Sequence, residues 1–353
     1  MPEDLPAWRR ENTTIKYDLS RGELIWRSRQ KRLERRGYLL RPRFRVDWVP
    51  SWLHTSKDPL LCEDSLFNPL PSLIDAERMS DGLKVMLKTV DRSSKESRIA
   101  VYLSFAEHSN DPRNHCVPII DVIRDESEPC VEFLVMPLFR PFDEPPFFNV
   151  EEVLDFMKQT LEGLTFMHKL GIAHRDCSDK NIMFDAAGMY PKGFHPSYWD
   201  LDANGKRARP LRCSDVLGVR YFFTAFGISS NFLEGETRLV TGKAGLDKDV
   251  PELSTDDSCD PFPVDIFILG NVFKRNFVAK YTNMQFITPL ADIMTQEEPT
   301  KRPSASEALE QYMELVSSFS AYYRRQRLKE AGNGKLDSFL HDIRSFGREF
   351  ILT

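Results

Sequence analysis

The stretch "GIAHRDCSDKNIMFD", residues 171–185, decides how this chain is read. It sets His174, Arg175 and Asp176 in a row and puts Asn181 five residues after the Asp. Taken alone it is a polar turn, because Asp, Ser and Asn side chains bond nearby backbone groups and gather after helices. Its setting says more. From Asn149 onward Val153, Phe156, Met157, Leu161, Leu164 and Met167 recur at spacings of three and four, which predicts a helix burying one face and running into the stretch. Later comes "VRYFFTAFGISSNF", residues 219–232, where Ala225 precedes Phe226 and Gly227.

Working outward, the chain changes character near residue 140. In "DGLKVMLKTV" (81–90) Leu83, Val85 and Leu87 alternate with Lys84, Met86 and Lys88, a strand-like period of two. "KESRIAVYLSFAE" reads as a helix with Ile99, Tyr102 and Leu103 on one face. "NHCVPIIDVI" and "CVEFLVMPLF" are apolar and β-branched, as strands are. "RPFDEPPFF" then breaks the pattern with prolines. Beyond a turn-rich insertion, 185–217, the last third is mostly helical and includes "ASEALEQYMELVSSFSAYYRRQRLKE" and a short amphipathic segment, Ser338–Ile351.

Bulk properties narrow the class. The 353 residues are 41% hydrophobic and 29% charged, the balance of a folded globular protein rather than a disordered one. A net charge of −5 does not suit a nucleic-acid binder. The six cysteines include no CxxC pair, so neither a zinc site nor a disulfide framework is indicated. No leader-like N-terminus and no membrane-length apolar run is present, so the expectation is an intracellular protein, cytoplasmic or nuclear. One local departure stands out. "RSRQKRLERRGYLLRPRFR" (27–45) holds nine Lys or Arg against one Glu, which reads either as an import or acidic-partner patch or as a solvated helix face followed by an extended arm.

Together these motifs resemble a eukaryotic protein kinase domain, of a divergent kind similar to kinase-like proteins abundant in fungi, over roughly residues 80–320. His174-Arg175-Asp176 with Asn181 matches the kinase H-R-D-x-x-x-x-N loop. Val85-Met86-Leu87-Lys88 stands in the place of V-A-I-K, with Glu96 at the spacing of its helical partner. Val250-Pro251-Glu252 resembles A-P-E, and Arg302 occupies the place that pairs with its Glu. Asp265 and Gly270 match the D-x-x-x-x-G helix start that props up the catalytic loop. The last three features separate protein kinases from aminoglycoside-type small-molecule kinases.

The resemblance implies an α+β, two-lobed protein-kinase-like fold with a small β-rich N-lobe and a large helical C-lobe. It sets a basic N-terminal extension at 1–77, packing on or preceding the N-lobe, and that lobe at 78–139. The C-lobe follows at 140–320, carrying the insertion, with a helical tail at 321–353. It implies ATP and Mg²⁺ as cofactors and a protein substrate, Ser or Thr rather than Tyr, with no nucleic acid or membrane as partner. Asp176 would take the acceptor hydroxyl's proton, and Asn181 would hold the metal. Lys88, oriented by Glu96, would reach the α and β phosphates. Met136 would be the gatekeeper and Pro137, Leu138 and Phe139 the hinge. Arg175 implies control by phosphorylation of the activation segment, with Thr237 and Thr241 as candidates.

Four positions depart from the pattern. Ala225 stands where the Asp of Asp-Phe-Gly binds Mg²⁺, and a methyl group ligates nothing. No glycine lies between Gly37 and Gly82, so the phosphate-covering glycine loop is missing. Met86 replaces a small residue above the adenine, and Ser178 replaces a Lys, with Lys180 nearby. Asp200, Asp202 and Asp215 in the insertion are candidate replacement ligands. Three functions follow: a Mg-ATP-dependent protein kinase impaired at 225, a pseudokinase serving as a binding or scaffold module, and a small-molecule kinase.

Overall fold

The computed structural model describes residues 18–331 except 213, 214 and 217. The segment Ser338–Ile351 and Cys213 lie outside the described residues. Two compact units form. Among the described residues, one takes 18–145 together with 180–231, and the other takes 146–179 and 232–331. One is β-rich and the other helical, the α+β kinase-like class that the sequence implies. Residues 140–145 and 180–231 fall in the first unit.

The first unit is built on a five-stranded antiparallel sheet of order β1-β2-β3-β5-β4. Its strands are β1 (Tyr38–Leu40), β2 (Leu73–Arg78), β3 (Lys84–Asp91), β4 (Asp121–Arg124) and β5 (Val131–Pro137). The alternation in β3 does what period two requires: Val85 and Leu87 are fully buried while Lys84 is exposed and Met86 and Lys88 are half-buried on the other face. Helix α1 (Arg21–Arg35) covers the buried face with Trp26 and Leu33, which join Leu40, Ile74, Phe133 and Val135 in one core. A capping box starts α1: Glu23 N–H donates to Ser20 Oγ at 3.3 Å, and Ser20 N–H to Glu23 Oε2 at 2.7 Å. Helix α2 (Lys95–Leu103) follows β3. A second antiparallel sheet joins β6 (Arg140–Pro141), β7 (Ile182–Phe184) and β8 (Tyr221–Phe223).

Two features were not foreseen. The sheet draws β1 and β2 from residues before 78, and their connection, residues 41–72, is a long glycine-free excursion rather than a tight hairpin. The basic run is neither a free arm nor a simple solvated face. Arg43 is fully buried against Glu23 at 2.8 Å, Arg29 pairs with Asp125 at 2.6 Å, and Arg41 pairs with Asp75 at 2.8 Å. Buried guanidinium groups survive only with such partners.

In the second unit α3 (Val150–Lys169) buries the predicted stripe, Val153 to Met167, after an Asn149 cap that accepts Glu152 N–H at 3.0 Å. Helix α4 (Pro261–Phe273) continues into a π-turn at Lys274–Val278. Helices α5 (Thr288–Met294) and α6 (Ala305–Ser317) follow, and Tyr312 Oη donates to Leu154 O at 2.6 Å to tie α6 to α3. The long C-terminal helical stretch ends at Ser317. Ser320 begins a new short turn at Ala321–Arg324 by accepting Tyr323 N–H at 3.2 Å, since serine competes well for a cap. Among the described residues, no helix is long and apolar enough to cross a membrane.

Candidate functional site

The predicted site residues divide between the units, and each unit assembles its share separately. In the first unit Lys88 on β3 forms an ion pair with Glu96 on α2, through Lys88 Nζ and Glu96 Oε1. Both side chains are largely covered, at 23% and 15% exposure, so each charge relies on the other. The Phe-Gly step lies beside this pair: a Cβ built on Gly227 would sit 3.5 Å from Glu96 Oε2. Phe226 is buried at 1% exposure.

Ala225 has φ 64 and ψ 62, in the left-handed region. That conformation costs a residue with a Cβ about 1–2 kcal/mol, and Asn, Asp and Gly bear it best. The surroundings therefore impose it. Thr224 N–H donates to Asn181 O at 2.9 Å, continuing the pairing of β7 with β8, and the buried Phe226 fixes the other side. The ladder thus brings Asn181 and position 225 together as backbone neighbours. The second position offers only a methyl group. Of the proposed replacements, Asp202 is buried and committed to a turn, its Oδ1 accepting Asn204 N–H at 2.8 Å and Lys206 N–H at 3.0 Å, whereas Asp200 and Asp215 are exposed.

Met136 stands opposite Met86 in the β3–β5 register. Leu138 N–H is already given to Lys84 O at 3.0 Å, and the Phe139 ring stacks on Phe222 at 4.6 Å. Sequence reading missed what encloses this strand. Arg140 is buried, donates to Glu144 O at 3.0 Å and Trp199 O at 2.7 Å, and lies over the rings of Tyr190, Phe194 and Trp199. Burial pulls its pKa down. The 185–217 insertion is thereby pinned to β6.

The same insertion locks onto the 41–72 excursion. His195 Nδ1 accepts the N–H groups of Ser197 (3.2 Å) and Tyr198 (3.1 Å), so the ring proton is on Nε2, facing Glu63 Oε1 at 3.3 Å. Arg41 pairs with that carboxylate and with Asp75, and its Nη1 lies 3.0 Å from the same imidazole nitrogen. Burial alone would raise the Glu63 pKa, but the His195 hydrogen bond and the Arg41 charge outweigh it and bring it to about 2. Burial pulls His195 down, and Arg41 adds to that.

In the second unit Asp265, fully buried on α4, organises the loop at 174–176. Its Oδ2 accepts His174 N–H at 2.7 Å and lies 3.0 Å from His168 Nε2, and its Oδ1 accepts Arg175 N–H at 2.6 Å. Arg175 takes φ 67 to make this turn, and its Nη2 donates to Thr241 O at 3.1 Å. Asp176 Oδ1 accepts Leu246 N–H at 2.7 Å. Glu252 and Arg302 form a two-pronged pair at 2.5 and 2.9 Å, and the fully covered guanidinium also donates to the carbonyls of Gln296, Pro263 and Glu297. Asp247, unnoticed in the sequence, is buried 2.7 Å from Asn271 Nδ2 and 3.1 Å from Arg275 Nη2. Gly270 admits α5 closely, since a Cβ there would meet Met294 Cβ at 2.9 Å.

Residues 75–192 match the protein kinase domain family. The chain is also similar to the mitosis inducer protein kinase cdr2 of Schizosaccharomyces pombe, with 34% identity over 107 residues. That similarity covers 29% of this chain and only 13% of the relative. The likeness to the protein kinase domain family thus rests on residues 75–192, with an α+β kinase-like fold around them.

Proposed function

We propose that this chain is a kinase-family protein that holds ATP through Lys88 and the Met136–Phe139 segment. Its Mg²⁺-dependent transfer to protein Ser or Thr hydroxyls is impaired by Ala225. The observation that carries this is the Lys88–Glu96 ion pair beside an Ala225 held in a left-handed turn. A paired, largely covered Lys suits the α and β phosphates, and Glu96 orients it. Residue 225 has no group to hold a metal, so the Mg²⁺ position there does not fit this chain. Asn181 alone remains. In transfer, Asp176 accepts the proton of the acceptor hydroxyl, and Leu246 N–H orients its carboxylate. Losing one metal ligand costs several kcal/mol of barrier, on the order of 10³-fold in rate.

Thr241 is the favoured regulatory phosphosite over Thr237, because Arg175 already reaches its carbonyl. An intracellular site, cytoplasmic or nuclear, and a protein partner complete the reading. The second reading, a pseudokinase scaffold, is favoured by the same Ala225 and by Met86. A fluorescent ATP analogue tests the first. Binding that is lost in Lys88→Met, and that changes little between EDTA and Mg²⁺, supports it. No binding by the parent chain leaves the scaffold reading.

A further inference from the structure

A cavity of about 310 Å³ lies in the first unit between the C-terminal half of α1 and β4, the edge strand of the five-stranded sheet. Arg29 and Arg32 line it from α1 and Arg36 from the residue that caps its C-terminus, spacings of three and four putting them on one side. Arg124, Asp125 and Glu126 line it from the end of β4. These charged groups are not equivalent. Arg29 is structural: its Nε lies 2.6 Å from Asp125 Oδ2, and its guanidinium lies over the Trp26 and Phe133 rings at 5.6 and 5.1 Å. Arg32 stands 3.6 Å from the same carboxylate and keeps 39% of its side chain exposed. The guanidinium groups of Arg36 and Arg124, both exposed, form no hydrogen bond or ion pair among the described residues, their backbones being held in the α1 cap and the β4–β5 ladder. Glu126, 68% exposed, meets Arg35 at 4.0 Å, at the rim.

Counting Arg35 at the rim and Glu128, whose Oε1 lies 3.1 Å from Arg29 Nη2, five guanidinium groups meet three carboxylates, a local surplus of two positive charges on a chain of net charge −5. Gathering unpartnered like charges at one concavity is unfavourable unless an anion joins them. A phosphate monoester carries about −1.5 to −2 at neutral pH and three acceptor oxygens, which guanidinium forks meet in pairs. An unmodified Glu or Asp offers one charge and two acceptor oxygens, and so meets fewer of these forks. As the edge strand of the sheet among the described residues, β4 offers backbone groups to the residues flanking such a phosphate.

We propose that this cavity docks a phosphorylated Ser or Thr segment of a protein partner, with Arg36, Arg124 and Arg32 holding the phosphate on a frame fixed by Arg29 and Asp125. Fluorescence anisotropy of labelled phosphoserine and phosphothreonine peptide libraries tests it, run beside unphosphorylated and Glu-substituted versions. The full chain should bind a subset of phosphopeptides, with affinity falling as salt rises. The double substitution Arg36→Ala with Arg124→Ala should weaken that binding by about tenfold or more, at unchanged melting temperature. Lys31→Ala, on α1 but off the cavity, should leave it intact. The proposal is overturned if no phosphopeptide exceeds its unphosphorylated version, or if the double variant binds as the parent does. It also falls if Glu-substituted peptides bind equally, or if inorganic pyrophosphate competes at concentrations below the peptide's own, which would make the ligand a free polyphosphate.

Discussion

Replacing Glu63 by Gln keeps the shape of the lock between the 41–72 excursion and the 185–217 insertion and removes its charge. Glu63 is held near pH 2 against an ordinary value near 4.5, with His195 and Arg41 as its partners. That gap corresponds to about 3 kcal/mol of native-state preference for the carboxylate, at about 1.4 kcal/mol per tenfold. Arg41 retains Asp75, which softens the loss, so Glu63→Gln should destabilise the first unit by about 2–3 kcal/mol at pH 7. The pH dependence gives the sharper signature. A carboxylate whose folded value is depressed contributes fully above its ordinary value and loses that contribution as pH falls through the folded one. For Glu63 the window runs from about 4.5 down to about 2. His195 is also depressed, so its share is complete above the ordinary histidine value near 6.5 and declines below it. Urea unfolding of parent and variant, followed by tryptophan fluorescence at pH 7, 5 and 3, reads both effects. The parent should lose stability on acidification, and its advantage over Glu63→Gln should shrink toward pH 3. An advantage of the same size at pH 7 and pH 3 would refute the lock as described.

Other substitutions probe separate parts. Asp265→Asn presents an amide to donors that a carboxylate satisfied, so it should cost about 2–4 kcal/mol in chemical denaturation and increase amide exchange at His174 and Arg175. Arg302→Lys loses the two-pronged pair with Glu252 and leaves that acid partly covered, which predicts a loss of about 2–4 kcal/mol in a thermal melt of the second unit. Ala225→Gly relieves a left-handed Cβ at some cost in chain entropy, so the variant should match the parent or exceed it by about 1 kcal/mol.

Much of this was legible beforehand because it obeys local rules. The α3 stripe and the β3 alternation follow from spacing and short-range chemistry alone. Ordered motifs made the pairing of Lys88 with Glu96, eight residues apart, and of Glu252 with Arg302, fifty apart, readable. The inserts were not legible. Glu63, Asp75 and His195 are ordinary polar residues with no period or motif, and only the tertiary approach of two irregular segments gives them partners. The same holds for Arg27–Arg45, where composition counts charges but cannot say which ones are spent inside. Asp247 was missed because its partners, Asn271 and Arg275, lie on a helix read for its apolar residues. The insert Asp residues illustrate the converse, since Asp202 looked available in sequence and is used by its own turn.

The central claim is that the frame of a phosphoryl-transfer site persists around one missing ligand. The direct measurement is Mg²⁺-dependent phosphate transfer from radiolabelled ATP, by autophosphorylation and to a generic Ser/Thr substrate, for the parent and Ala225→Asp. Asp tolerates the left-handed backbone at 225, so the fold should be unchanged. The account predicts little or no transfer by the parent and a gain on the order of 10³-fold in the Asp variant, together with a new Mg²⁺ requirement for nucleotide binding. A parent chain that already transfers phosphate as fast as Ala225→Asp would contradict it.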